Sequence, residues 1–299
     1  MFSYDSLKTI AKYSKYGTIA PLASFDRSLR VITKIKAWTF EQVVFEQDQD
    51  LNSNLTVDGV NWTFTFDAQT EKVTVSCESA PWKTKTFEEK NVAKQYLAHF
   101  LERPVKHLTL IRCEDPLEFV KELKCDSLTV HLDSFTNEWF ERIKDRTFEK
   151  LELIDSSSCS NVASLEIARK AKKLVIRGKL AAMLNEDTIM RYHVLRSQLV
   201  NVVLEMNNCT PLLRMAGFLI MNQLPIGSHF TGIFKNSPGV KMATFHHFLR
   251  NWQGSTYDRF GERVVLGSAE DYTISVYRNF HNDDKPGTTS FTVIKLKKL

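Results

Sequence analysis

The hydrophobic and polar pattern of this chain changes texture several times. Over residues 1–36, apolar side chains recur at three-and-four spacing: Leu7, Ile10 and Ala11, then Ile19, Leu22, Ala23 and Phe25, then Leu29 and Ile32. That period predicts short helices, the first capped by Asp5 or Ser6 and ended by Gly17. Pro21 fits the first turn of the second helix, where a missing N–H is tolerated. From residue 37 the period shortens to two. The run Leu55-Thr56-Val57-Asp58-Gly59-Val60-Asn61-Trp62 predicts a hairpin, because both central residues of its tight turn need positive φ and Asp-Gly supplies them. Val73-Thr74-Val75 adds a third strand to this small antiparallel β element, and a charged linker follows to Lys90.

A short pulse then repeats: Leu108-Thr-Leu110, Leu128-Thr-Val130, Leu151-Glu-Leu153, Leu174-Val-Ile176 and Val202-Val-Leu204. The starts are separated by 20, 23, 23 and 28 residues. Helical spacing returns between pulses, over 92–101, 116–123, 137–143 (behind a cap at Thr136), 162–171 and 187–199. A 20–30-residue period with one strand and one helix per copy is the mark of leucine-rich-repeat solenoids. Cys113 and Cys209 follow two pulses, as Cys often does in such repeats. In that geometry alternate strand residues face an open concave surface. They are Thr109, Ile111, Thr129, His131, Glu152, Ile154, Val175 and Arg177, a mixed set that suits a protein ligand.

Past residue 210 the repeat fades. Helical patterns cover 210–225 and 240–252, and two alternating runs, Tyr272-x-Ile274-x-Val276 and Phe291-x-Val293-x-Lys295, predict a closing hairpin. The expected fold is thus α/β, in four segments. A helical N-terminal segment spans 1–36, an antiparallel β element and linker 37–90, a leucine-rich-repeat-like solenoid 91–210, and C-terminal helices with a β-hairpin 211–299.

Composition changes this picture little. The 299 residues are 43% hydrophobic and 25% charged, with a net charge of +5. That mild excess argues against nucleic acid as a partner, since a phosphate backbone wants a row of cations on one face. The densest basic tract is Arg169-Lys170-Ala171-Lys172-Lys173, read as a solvated helix end; a nuclear import signal or a nucleic-acid contact is its alternative use. The opening residues lack a basic and then apolar stretch, and no apolar run is long enough to span a bilayer. Five scattered Cys without a C-x-x-C pair fit reduced thiols of the cytosol or nucleus. The sequons at Asn54, Asn61 and Asn208 are then chance.

No nucleotide loop, nucleophile elbow or zinc-spaced set is present, so the expectation is no catalytic residue, no cofactor and no metal. His246 and His247 are neighbours on a predicted helix and point about 100° apart, so they do not share one ion. His131-Leu132-Asp133-Ser134 holds catalytic residue types without the arrangement of a triad.

Four short stretches carry a family likeness: Tyr4-Asp5-Ser6-Leu7-Lys8, Ser28-Leu29-Arg30 with Lys34, Ile226-Gly227-Ser228-His229-Phe230, and Tyr272-x-Ile274-x-Val276-Tyr277. In their order the chain resembles the lineage-expanded nematode families of F-box-like and F-box-associated proteins. Phe2-Ser3-Tyr4 stands where a standard F-box has Leu-Pro, and Asp26-Arg27 where members often have Cys-Pro. The resemblance implies a substrate receptor of a cullin-RING ubiquitin ligase. Leu7, Ile10, Leu22 and Leu29 would dock on the Skp-type adaptor, and the repeats would hold an unknown protein target. A scaffold with a relic F-box that does not bind the adaptor is the alternative.

Overall fold

A computed structural model describes residues 39–47, 52–113, 120, 122–131, 143, 145–155, 166–178, 201–206, 210–221, 224–235, 256–257, 263–268, 271–278 and 288–298. The chain forms two compact units, Met1–Ile143 and Lys144–Leu299. The helices expected over 1–36, 137–142, 187–199 and 240–252 lie outside the described residues, as do Leu7, Ile10, Leu22 and Leu29.

In the first unit, β1 (Phe40–Gln47), β2 (Ser53–Val57), β3 (Val60–Phe66), β4 (Val73–Cys77) and β5 (Ala80–Phe87) precede α1 (Lys90–Leu101), β6 (Val105–Ile111) and β7 (Cys125–His131). Their order across the sheet is β7-β6-β1-β2-β3-β4-β5. Consecutive strands from β1 to β5 are antiparallel, whereas β1 runs parallel to β6, and β6 to β7. The β2–β3 turn has φ of 48° at Asp58 and 83° at Gly59, the conformation that a two-residue hairpin demands. Asp58 also ties this turn to β1: its Oδ1 accepts the N–H groups of Glu41 and Gln42, each at 2.9 Å.

In the second unit, β8 (Lys150–Asp155), α2 (Glu166–Lys170), β9 (Lys173–Gly178), β10 (Asn201–Met206) and α3 (Thr210–Met221) come first. They lead into β11 (His229–Lys235), β12 (Thr256–Tyr257), β13 (Arg263–Ser268), β14 (Tyr272–Arg278) and β15 (Thr288–Lys297). The order is β12-β13-β14-β15-β11-β10-β9-β8. Strands β8 to β11 are parallel and β11 to β12 antiparallel. α3 lies against β15, β11 and β14, and buries Leu212, Met215, Ala216 and Leu219, at the spacing of one helical face.

The expected α/β architecture built on a leucine-rich-repeat-like solenoid does not hold. The described residues form fifteen strands and three helices in mixed sheets. All five pulses are strands, with β6–β7 and β8–β9–β10 parallel. Yet β6 is flanked by β1, which precedes it by a whole antiparallel meander, and β11 passes the sheet on to β15. A solenoid strand pairs only with its sequence neighbours. The Leu-x-Leu pulse reports a buried strand face, and that is common to solenoids and to mixed sheets. Residues 122 and 123, the end of the helix expected over 116–123, carry no regular structure, and the helix expected over 162–171 is described as the five residues of α2. Among the described residues no helix is long and apolar enough to cross a membrane.

Candidate functional site

In the first unit α1 lies against β5, and its ring residues lock onto the inner face of the meander. Tyr96 packs edge-on against Phe100 at 5.7 Å and tilts against Phe87 at 5.4 Å and Phe64 at 6.4 Å, while Phe100 meets Trp62 at 5.7 Å. Lys85 sets its ammonium 4.5 Å over Phe87 and 4.9 Å over Tyr96, closing the apolar layer at the edge strand with a cation–π contact. Val43, Phe45, Leu55, Val57, Leu108, Leu110, Leu128 and Val130 continue the buried face.

The opposite face follows from alternation. One row of cross-strand partners runs Thr129, Thr109, Val44, Thr56, Asn61 from β7 to β3. A second runs Glu46, Asn54, Thr63, Ser76 from β1 to β4, and a third Thr65, Thr74, Thr86 from β3 to β5. None of these side chains is buried, and Thr, Asn and Ser predominate among them. Two carboxylates border them: Glu46 within the second row and Glu78, whose Oε2 accepts from Asn61 Nδ2. Thr offers a methyl group and a hydroxyl that both donates and accepts. Thr56 Oγ1 donates to Asn61 Oδ1 at 2.8 Å, so part of the face is already ordered. A partner would meet polar groups without having to strip water from ions.

The second unit differs. Its alternate row runs Glu152, Val175, Val203, Thr231, Thr292, Tyr277, Arg263 across seven strands. Val175, Val203 and Ile233 form a buried cluster, and Thr231 and Thr292 are buried with their hydroxyls 2.8 Å apart. Glu152 is held twice: Arg177 Nε donates to its Oε1 at 2.6 Å and Lys150 Nζ to its Oε2 at 2.8 Å. Burial alone would push this carboxyl up, but the hydrogen bonds and charges of Lys150 and Arg177 outweigh it and hold the group below its ordinary range. Burial pushes the His229 imidazole down, and the charge of Lys173 adds to this against the hydrogen bond with Gly227.

Lys295 is 5% exposed, a buried ammonium that donates to Leu224 O at 2.9 Å and sits 3.9 Å over the Tyr272 ring. Its backbone closes on the turn before β11: Gly227 N donates to Lys295 O at 2.7 Å, and Lys295 N to Ser228 O at 3.0 Å. Gly227 has φ of 94°, and Ser228 N donates back to Pro225 O at 3.1 Å. Lys295 therefore brings together Ile226–Phe230 and Tyr272–Tyr277, two stretches far apart in sequence. The alternating run Phe291-x-Val293-x-Lys295 places Lys295 on a strand, but nothing in the pattern marks its side chain as buried.

Of the eight residues expected on a concave surface, Thr109, Ile111, Thr129 and His131 lie on the first unit's β6 and β7, half-buried. Glu152, Ile154, Val175 and Arg177 lie on β8 and β9 of the second unit, where Val175 and Glu152 are buried. The sequence reads Thr56 to Thr74 as strand without a site and Thr86 as linker, where the structure has β5; the signal is the Thr and Asn at every second position. The basic tract is paired where described: Lys170 meets Asp145 at 3.5 Å and Lys172 meets Glu149 at 2.6 Å. Burial pushes the Cys113 thiol up to about 12, so it stays protonated and packs as an apolar group. Among the described residues no cluster of His, Cys, Asp or Glu is arranged to hold a metal. No protein-family model matches the chain, and no curated protein matches it in sequence. The F-box-like resemblance rests on the residues quoted for it.

Proposed function

We propose that this protein is a non-enzymatic protein-recognition subunit, and that the open Thr-rich face of the first unit docks its partner. The observation that carries this reading is the register of Thr129, Thr109, Thr56, Thr63, Thr65, Thr74 and Thr86 on one unburied face of the sheet. Thr63 and Thr74 stand near the middle of the meander face, so Lys there would put desolvated charge into any complex. The double variant Thr63→Lys/Thr74→Lys should fold as the parent does and lose the partners that the parent retains in affinity purification. An unchanged partner set would sink the reading.

The finer role, substrate receptor of a cullin-RING ligase, draws on the N-terminal resemblance. Purified Skp-type adaptor mixed with the full chain tests it: co-elution supports the receptor, and separate elution supports a scaffold with a relic F-box.

A further inference from the structure

Arg177 carries donors that no described residue accepts. Its Nε is taken by Glu152, but among the described residues Nη1 and Nη2 have no acceptor. The side chain is nevertheless only 18% exposed, and its anchor Glu152 only 11%. Lys150, 35% exposed, is drawn to the same carboxylate. The guanidinium is thus oriented before any ligand arrives, with Arg177 and Lys150 both drawn to the one Glu152 carboxylate. A planar pair of N–H groups matches the two oxygens of a carboxylate.

We infer that Arg177 is a recognition point for a single carboxylate, an Asp or Glu side chain of a protein partner. Glu152 is the positioning residue and Lys150 supplies a second positive charge. This deepens the recognition reading and rests on it for the source of the carboxylate, and its residues belong to the second unit.

Diffuse attraction and an oriented fork make opposite forecasts for Glu152→Gln. That substitution makes the corner more positive, so attraction alone would tighten binding. Loss of the anchor would weaken it. The full-length protein is titrated with a Gly-Ser peptide carrying one Glu, with its Gln twin, and with inorganic phosphate. The Nε–Hε resonance of Arg177, assigned by its loss in Arg177→Lys, is followed in the parent and in Glu152→Gln, and backbone amide shifts in every protein. The Glu peptide should shift it saturably and the Gln twin should not. Arg177→Lys keeps the charge and should weaken binding about tenfold or more, the effect of losing one charge-assisted hydrogen bond. Glu152→Gln should weaken it in the same direction. Equal binding by Arg177→Lys, tighter binding by Glu152→Gln, or preference for phosphate over the Glu peptide would overturn the inference. Arg177→Lys leaves the Glu152–Lys150 pair in place, so the test survives if Glu152→Gln does not fold. Thr63→Lys/Thr74→Lys should bind the peptide as the parent does, which separates this outcome from that of the open face.

Discussion

The first unit buries one face of its strands, whereas the central strands of the second bury both. In β2 to β4, buried Leu55, Val57, Phe64, Val73 and Val75 alternate with Thr and Asn that stay open. In β9 and β10, Leu174, Val175 and Ile176 are all buried, and so are Val202, Val203 and Leu204. The same holds for Ser290 to Ile294 of β15. Antiparallel meanders commonly leave one face to water, and parallel strands are commonly covered on both. The middle residue of four of the five pulses carries the difference. It is Thr109 and Thr129 in the first unit, unburied, and Val175 and Val203 in the second, buried, whereas Glu152 is buried as a carboxylate held by Lys150 and Arg177. A hydroxyl and a methyl group at the same repeat position therefore mean different things for function: the first offers a surface, the second a core.

The sharpest way to break this comparison is to truncate one side chain from each face. Ile233 is 3% exposed in the second unit's cluster. Ile233→Ala should cost about 2–5 kcal/mol in urea unfolding, through lost burial and the cavity left behind. Thr74→Ala, on the open face, should stay within about 0.5 kcal/mol of the parent. Equal effects would mean that the two faces are covered alike, and the docking surface would lose its basis.

The five pulses, β2 to β4, β14 and β15 were legible in the sequence because a buried face imposes period two on a strand, whereas β5, expected as linker, and β11 to β13 were not. The Asp58-Gly59 turn was legible because few residue pairs tolerate positive φ twice. The topology was not. Leu108-Thr-Leu110 looks the same whether its neighbour is the next repeat or β1 from an earlier meander, and only the register Val43 to Leu108 decides. Of the candidate site, Thr109, Thr129 and Arg177 could be placed on strands, but their division between two units could not. The clamp at Lys295 was hidden because its acceptor, the carbonyl of Leu224, carries no side-chain signal.

Acid gives a second, smaller contrast. His229 is buried in the second unit with its imidazole held below the ordinary range, first by burial and then by Lys173. The unfolded chain therefore takes up this proton at a higher pH than the folded one. Stability from this group is complete above the ordinary histidine pKa and is lost as pH falls through that value toward the depressed one. Unfolding of the second unit, followed from neutral pH into mild acid, should show a decline that His229→Gln flattens. An identical decline in the variant would assign the acid sensitivity elsewhere.

The smallest effects separate two glycines that both have open space around them. An added Cβ at Gly59 or at Gly217 would meet nothing within 4 Å, so neither substitution is decided by a clash. Backbone decides instead. Gly59 holds φ of 83° in the β2–β3 turn, a conformation that costs an L-residue about 1–2 kcal/mol, and Gly59→Ala should destabilise the first unit by that amount. Gly217 sits inside α3, where glycine loses more conformational freedom on folding than alanine does. Gly217→Ala should therefore stabilise the second unit by about 0.5–1 kcal/mol. Denaturation of the two variants checks the signs. A loss at Gly217 would show that α3 needs its glycine for a close approach, and no change at Gly59 would show that the turn relaxes into another form.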